Sequence, residues 1–360
     1  MKDSAAPRRS GSPGAVRTVA RRTIRTLALL LAFTLVIALG LNLDGPPPEG
    51  PPVLTLTEEA QLAAEARASD LAAAATVLAD IAPSAAPGSD LGPAYTEAAG
   101  LLQTQADALR HPILSAPVHT DPPAGGADGL PSSEPSDGSS AGASLPAEPA
   151  PTPSGFVADL FSSAQQNLDA AVTVEPGIAR LLASVGTSQR HQARILARLQ
   201  DLEVLPPAEL PAAPVESPPD CAATPVDSAE TDWLAEAVAA EYQSAYAYEV
   251  TAARAPDPAS LLTLAGQHTA AAAEGEALLD TVVCTASPPR IPAFALDPGF
   301  VADPAATLAG LETSLVGMYA DLVGLTDGTA RQWAIQRFAA VTDHRHSTTD
   351  VVEAFPGITE

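Results

Sequence analysis

Residues 227–268 read DSAETDWLAEAVAAEYQSAYAYEVTAARAPDPASLLTLAGQH, and their punctuation decides the fold. Asp227 followed by Glu230 has the form of a capping box, which opens a helix by satisfying its first amide hydrogens. The helix runs to Arg254 and stops before Ala255-Pro256, because proline brings no amide and clashes with the preceding turn. Asp257-Pro258 restarts it: the carboxylate accepts orphan amide hydrogens, and proline at the first helical position has none to lose. The same pair recurs at Asp303-Pro304. This places four helices at about 228–254, 258–284, 304–325 and 329–354. Between the second and third lies a 19-residue loop, 285–303, able to extend about 60 Å. A bundle of such helices is about 40 Å long, so helices two and three can run parallel. The reading is an all-α, four-helix domain over 227–356 with one long crossover between helices two and three.

Working outward, proline marks the connections. Segments 45–52, 111–153 and 203–226 hold 22 of the 36 prolines. Linkers are therefore expected at 44–56, 111–153 and 203–226. The middle one is too poor in apolar side chains to order itself and reads as disordered. Between linkers, 57–81 and 94–110 are Ala-rich and proline-poor. Phe156, Leu160, Phe161, Ala164 and Leu168 line one face of a further helix, and Ile178, Leu182, Val185, Gln189, Leu196 and Leu199 mark another over about 177–202. An N-terminal helical region over 57–202 follows, its faces so rich in Ala that its packing should be thin.

Eighteen Lys and Arg stand against 43 Asp and Glu, a net charge of -25 that excludes a global electrostatic fit to nucleic acid. The charge is uneven. Residues 1–26 carry Lys2, Arg8, Arg9, Arg17, Arg21, Arg22 and Arg25 against Asp3, and the next seventeen, LALLLAFTLVIALGLNL at 27–43, carry no charge. Seventeen helical residues reach about 25 Å, so an uncleaved transmembrane anchor and the core of a cleaved signal peptide both fit. In either case the basic leader stays cytoplasmic, and the acidic remainder is extracytoplasmic. Cys221 and Cys284, the two cysteines, fall near the same end of the first helix pair. In an oxidising compartment a disulfide there would add about 4 kcal/mol through loop-closure entropy, two unrelated thiols being the alternative.

The run Ala237 to Glu249, AVAAEYQSAYAYE, followed by Gln267-His268 in an Ala-rich helix and by Pro292 to Phe294, resembles the actinobacterial family labelled domain of unknown function 4439. The resemblance covers about 228–356 and implies a ferritin-like bundle, with no activity attached. Bundles of that kind that hold two metal ions use a Glu from each of two helices and a Glu-x-x-His from each of the others. Here Glu241, His268, Glu312, Asp343 and His346 are the possible ligands, and iron or manganese the possible cofactors. Half of the motif is missing: Ala265 stands three residues before His268, and Asp343 replaces the Glu expected in helix four.

Simpler roles compete with ligation. Glu241 and His268 could form a hydrogen-bonded pair across the bundle. Asp343, His344 and His346 sit near a helix C-terminus, where histidine favours the helix dipole. His191 falls off its apolar stripe and should be solvated. Tyr242, Tyr246 and Tyr248 cannot all face inward. No nucleophile elbow, phosphate loop, Cys-x-x-Cys or zinc spacing occurs. The expectation is an envelope-associated, non-catalytic binding or structural module, held to the membrane through 27–43; the alternative is a metal-binding protein or metal-dependent oxidoreductase.

Overall fold

A computed structural model describes residues 54–85, 88–110, 150–203, 221, 228–296, 298–347 and 351–358. The basic leader, the apolar segment 27–43 and nearly all of the three linkers lie outside the described residues. Among the described residues there is no strand. The helices are α1 (Leu56–Ala85), α2 (Leu91–Leu109), α3 (Pro153–Ala171), α4 (Pro176–Leu199), α5 (Ser228–Ala252), α6 (Ala259–Thr281), α7 (Pro304–Leu325) and α8 (Gly328–Ser347), with a 3-10 turn at Pro298–Val301. The chain from Leu54 onward folds as one compact unit.

Local chemistry explains where these helices start. At α1 the Thr55 hydroxyl accepts from Glu58 N at 3.2 Å, and the Glu58 carboxylate accepts from Thr55 N at 2.8 Å, a reciprocal capping box. Thr152 caps α3 by accepting from Gly155 N, and Asp303 caps α7 by accepting from Ala306 N at 3.0 Å, each followed by proline in the first turn. Asp257 instead accepts from Ala259 N at 3.3 Å, so α6 begins one residue later than the Asp-Pro pair suggests.

The helices pack in two groups of four. In the first, α1 pairs with α2 and α3 with α4, and the pairs meet through α1 against α3 and α2 against α4. In the second, α5 pairs with α6 and α7 with α8, while α5 lies against α7. Trp333 of α8 closes the second group against α6 at Gly275, where a Cβ would come within 3.2 Å of the indole. The segment 282–303 supplies the long crossover. It is tied down by the Cys221–Cys284 disulfide at its start, by Arg290 on Glu276, and by Phe294 against Tyr246.

The groups join through α4, which packs on both α7 and α8. One apolar core runs through the junction, from Leu168 and Leu182 to Leu315, Val316 and Phe338. This central position buries the middle of α4 on every side. Ser184, Thr187, Ser188, Gln189, Arg190, His191 and Gln192 are all buried, so the expectation of a solvated His191 is wrong: what would be a polar outer face is covered.

The cover is partly the C-terminal tail. The last helix ends at Ser347, not near 354, and residues 351–358 cross onto α4. Their carbonyls satisfy its polar side chains: the Ser184 hydroxyl donates to Pro356 O and the Ser188 hydroxyl to Glu353 O, both at 2.7 Å, and Arg180 donates to Gly357 O at 3.1 Å. Among the described residues, α7 alone is long and apolar enough to cross a membrane, with a mean hydropathy of 1.2. It packs against α4, α5 and α8, with Leu315, Val316, Tyr319, Ala320, Leu322 and Val323 buried there.

Candidate functional site

Three helices of the second group each present two polar side chains seven residues apart, which is two turns along one face. These are Glu241 and Tyr248 on α5, Glu312 and Tyr319 on α7, and Arg337 and His344 on α8. Because α5 runs antiparallel to α7, and α7 to α8, the pairs meet in two layers.

In the first layer the Glu241 carboxylate, fully buried, accepts from the Tyr319 hydroxyl at 2.5 Å and from Arg337 Nη2 at 3.3 Å. In the second, Glu312 Oε1 accepts from the Tyr248 hydroxyl at 2.7 Å, and His344 Nε2 lies 3.2 Å from that hydroxyl and 3.8 Å from the carboxylate. Since Tyr248 donates to Glu312, the His344 ring donates to the tyrosine oxygen. His268 of α6 ties the layers together, with Nδ1 2.6 Å from Glu241 Oε2 and Nε2 3.1 Å from Glu312 Oε1. Its ring stacks on Tyr248, with centroids 5.3 Å apart.

The electrostatics follow from this geometry. Burial pulls the His268 pKa down, but hydrogen bonds and charge from Glu241 and Glu312 outweigh it and raise the pKa to about 9. The ring is therefore a cation at neutral pH and donates from both nitrogens. Burial pushes the Glu312 carboxyl up, yet contact with His268 and Tyr248 holds it below its ordinary value. Burial, with the adjacent carboxylates, raises both Tyr248 and Tyr319, so both hydroxyls stay protonated. Burial lowers the Arg337 pKa, but the Glu241 charge more than restores it. Two carboxylates thus face two cations, His268 and Arg337.

Of the five predicted ligands, the structure brings together Glu241, His268 and Glu312. Asp343 faces the other way, 3.2 Å from Arg190 Nε and 2.5 Å from Arg194 Nη1 of α4. His346 lies in α8, but its side chain is outside the described residues. Sequence reasoning missed Arg337, Tyr319 and His344 as members of the cluster, although their seven-residue spacing to neighbours on the same stripe was available.

A two-metal centre does not fit these side chains. Both nitrogens of His268 are spent on carboxylates, and the Arg337 guanidinium sits on Glu241, where a second cation's charge would be redundant. Among the described residues, no group of three or more His, Cys, Asp or Glu has metal-holding geometry. The tyrosine question is also resolved. Tyr248 faces inward, while Tyr242 lies under the Arg290 guanidinium at 5.2 Å and Tyr246 lies against Phe294, so the crossover covers both.

No curated protein and no solved structure matches the chain. The segment that carries every member of the cluster, residues 234–360, does match a known family, described as domain of unknown function 4439.

Proposed function

We propose that the chain is an envelope-associated structural or binding module, anchored or exported through residues 27–43. In this reading its C-terminal helices form a ferritin-like four-helix bundle whose centre is a charge-balanced plug. The observation that carries it is His268 clamped between Glu241 and Glu312 while Arg337 neutralises Glu241. The disulfide between Cys221 and Cys284, 63 residues apart, supports an oxidising, extracytoplasmic location. A buried network in which His268 and Arg337 face the two carboxylates presents no nucleophile.

Iron or manganese binding remains the rival reading, favoured by one observation: Glu312 Oε2 is buried without a hydrogen-bond partner. Elemental analysis of the purified full-length protein, before and after incubation with Fe(II) or Mn(II), separates the two. The plug predicts no stoichiometric metal. One metal per chain, lost in both Glu241→Ala and His268→Ala, would overturn it.

A further inference from the structure

The two groups of helices share more than their number. Each is two helix pairs in sequence, α1 and α2 followed by α3 and α4, and α5 and α6 followed by α7 and α8. Their buried positions also fall in one register. Ala64, Ala68, Leu71 and Ala75 of α1 have the spacing of Ala237, Glu241, Ser244 and Tyr248 of α5. Tyr95, Ala98, Leu102 and Leu109 of α2 match Ala265, His268, Ala272 and Leu279 of α6. Phe156, Leu160, Asn167 and Leu168 of α3 match Leu308, Glu312, Tyr319 and Ala320 of α7.

Contacts in space agree with this register. Tyr319 reaches α5 at Glu241, and Asn167, in the equivalent place, reaches α1 at Arg67, the neighbour of Ala68, at 2.7 Å. What differs is the chemistry. Where the second group has Glu241, His268, Glu312 and Tyr248, the first has Ala68, Ala98, Leu160 and Ala75. Its polar interior is built instead from amides and hydroxyls, with Gln189 accepting from Ser163 at 2.9 Å and from Asn167 at 3.1 Å, and donating to Gln105 at 3.0 Å.

The tail gives the arrangement a direction. The family match ends at residue 360 and so includes 351–358, yet α4, on which that strap docks, lies outside the matched segment. Asp343, on the matched segment, likewise finds its cations on α4.

We propose that the outer face of α7 and α8, together with the strap 351–358, is a docking surface for a second bundle of the same fold. Helices α1 to α4 are a duplicated copy that lacks the ionic cluster and fills this surface within the chain. The partner class is thus another four-helix bundle presenting an α4-like helix, with two arginines for Asp343 and serines for the strap carbonyls.

The test uses the full chain with a protease site placed between residues 203 and 221, cut after folding. The halves are expected to stay together as a one-to-one particle by light scattering at micromolar concentration. Asp343→Ala, which leaves buried Arg190 without its carboxylate, should raise the dissociation constant of the halves at least tenfold. Gly357→Ala should weaken them as well without touching a charge, because its Cβ would lie 2.6 Å from Ala320 Cβ and 2.9 Å from Val316 O. Halves that separate freely, or two variants that bind as tightly as the parent, would overturn the docking surface. An experimental structure in which α1 to α3 superpose on α5 to α7 with Ala68 on Glu241, Ala98 on His268 and Leu160 on Glu312 supports the duplication. A shift of register on any of those helices refutes it.

Discussion

His268 makes the stability of this protein depend on pH in a direction that can be worked out in advance. Its pKa rises from 6.5 to about 9 on folding, so the folded state holds the ring's proton more tightly than the unfolded chain does. The stabilisation is complete below the unfolded pKa, declines as pH rises from about 6.5, and is gone above about 9. Its size is about 3 kcal/mol, and the ring is only 4% exposed, so solvent screening removes little of it. Glu312 acts in a separate window: its lowered pKa contributes stability that is lost only as pH falls into the carboxylate range. His268→Gln keeps an amide that can reach one carboxylate but removes the titration. Urea unfolding of the oxidised parent and variant at about pH 6 and about pH 9.5 isolates the effect, since groups common to both proteins cancel. The parent should lose about 3 kcal/mol more than the variant across that interval. Equal losses would mean that His268 is not held as a cation between the two carboxylates, and the plug reading would fall with it.

Other substitutions probe separate contacts. Gly186→Ala places a Cβ 2.9 Å from Ala164 O and 2.9 Å from Leu168 Cγ, so crowding between α3 and α4 should destabilise by about 1–3 kcal/mol despite alanine's better helix propensity. Gly310→Ala on α7 meets nothing within 4 Å and should stabilise by up to about 1 kcal/mol, read by the same urea midpoints. Tyr319→Phe removes the hydroxyl that donates to buried Glu241 and should cost about 2–3 kcal/mol in urea unfolding. Cys221→Ser opens the bridge to Cys284 and should lower stability by about 4 kcal/mol; thiol titration of the unreduced parent should find no free sulfhydryl.

What was legible in the sequence was what local chemistry dictates. Asp303-Pro304 and the long interval 285–303 announced helix starts and a crossover because capping and chain reach act over a few residues. Glu241, His268 and Glu312 were legible as interior polar groups because each interrupts an apolar stripe. The partners of Asp343, Arg190 and Arg194, were not legible because they lie about 150 residues away on a helix whose central place no stripe reveals. His191 was misread because amphipathicity assigns an outer face, but the middle of α4, where it lies, has none. The C-terminal end was taken for helix because nothing in 348–354 forbids one. What holds 351–358 instead is tertiary, the capture of their carbonyls by Ser184 and Ser188.

The cluster has a role that its energy alone does not explain. Aromatics make up only 4% of the chain and the facing helices are lined with alanine, so many registers of one helix against another bury similar area. Directional contacts at fixed spacing break that degeneracy. Glu241 and Tyr248 meet Tyr319 and Glu312 in only one antiparallel register, with His268 bridging the two layers and Arg337 closing one of them. Replacing a complete buried ionic network by apolar residues is often neutral or stabilising, whereas removing one member leaves a charge stranded. The combined variant Glu241→Leu, His268→Leu, Glu312→Leu and Arg337→Met should therefore unfold in urea with a midpoint no lower than that of His268→Gln. Its helical circular dichroism should persist while its near-ultraviolet signal and amide protection fall, the signature of helices that pack without one fixed register. Native near-ultraviolet dichroism and undiminished protection in that variant would show that Trp333 on Gly275 and the apolar core set the register unaided, leaving the ionic layers without a structural purpose and the metal reading as the stronger account of why they are there.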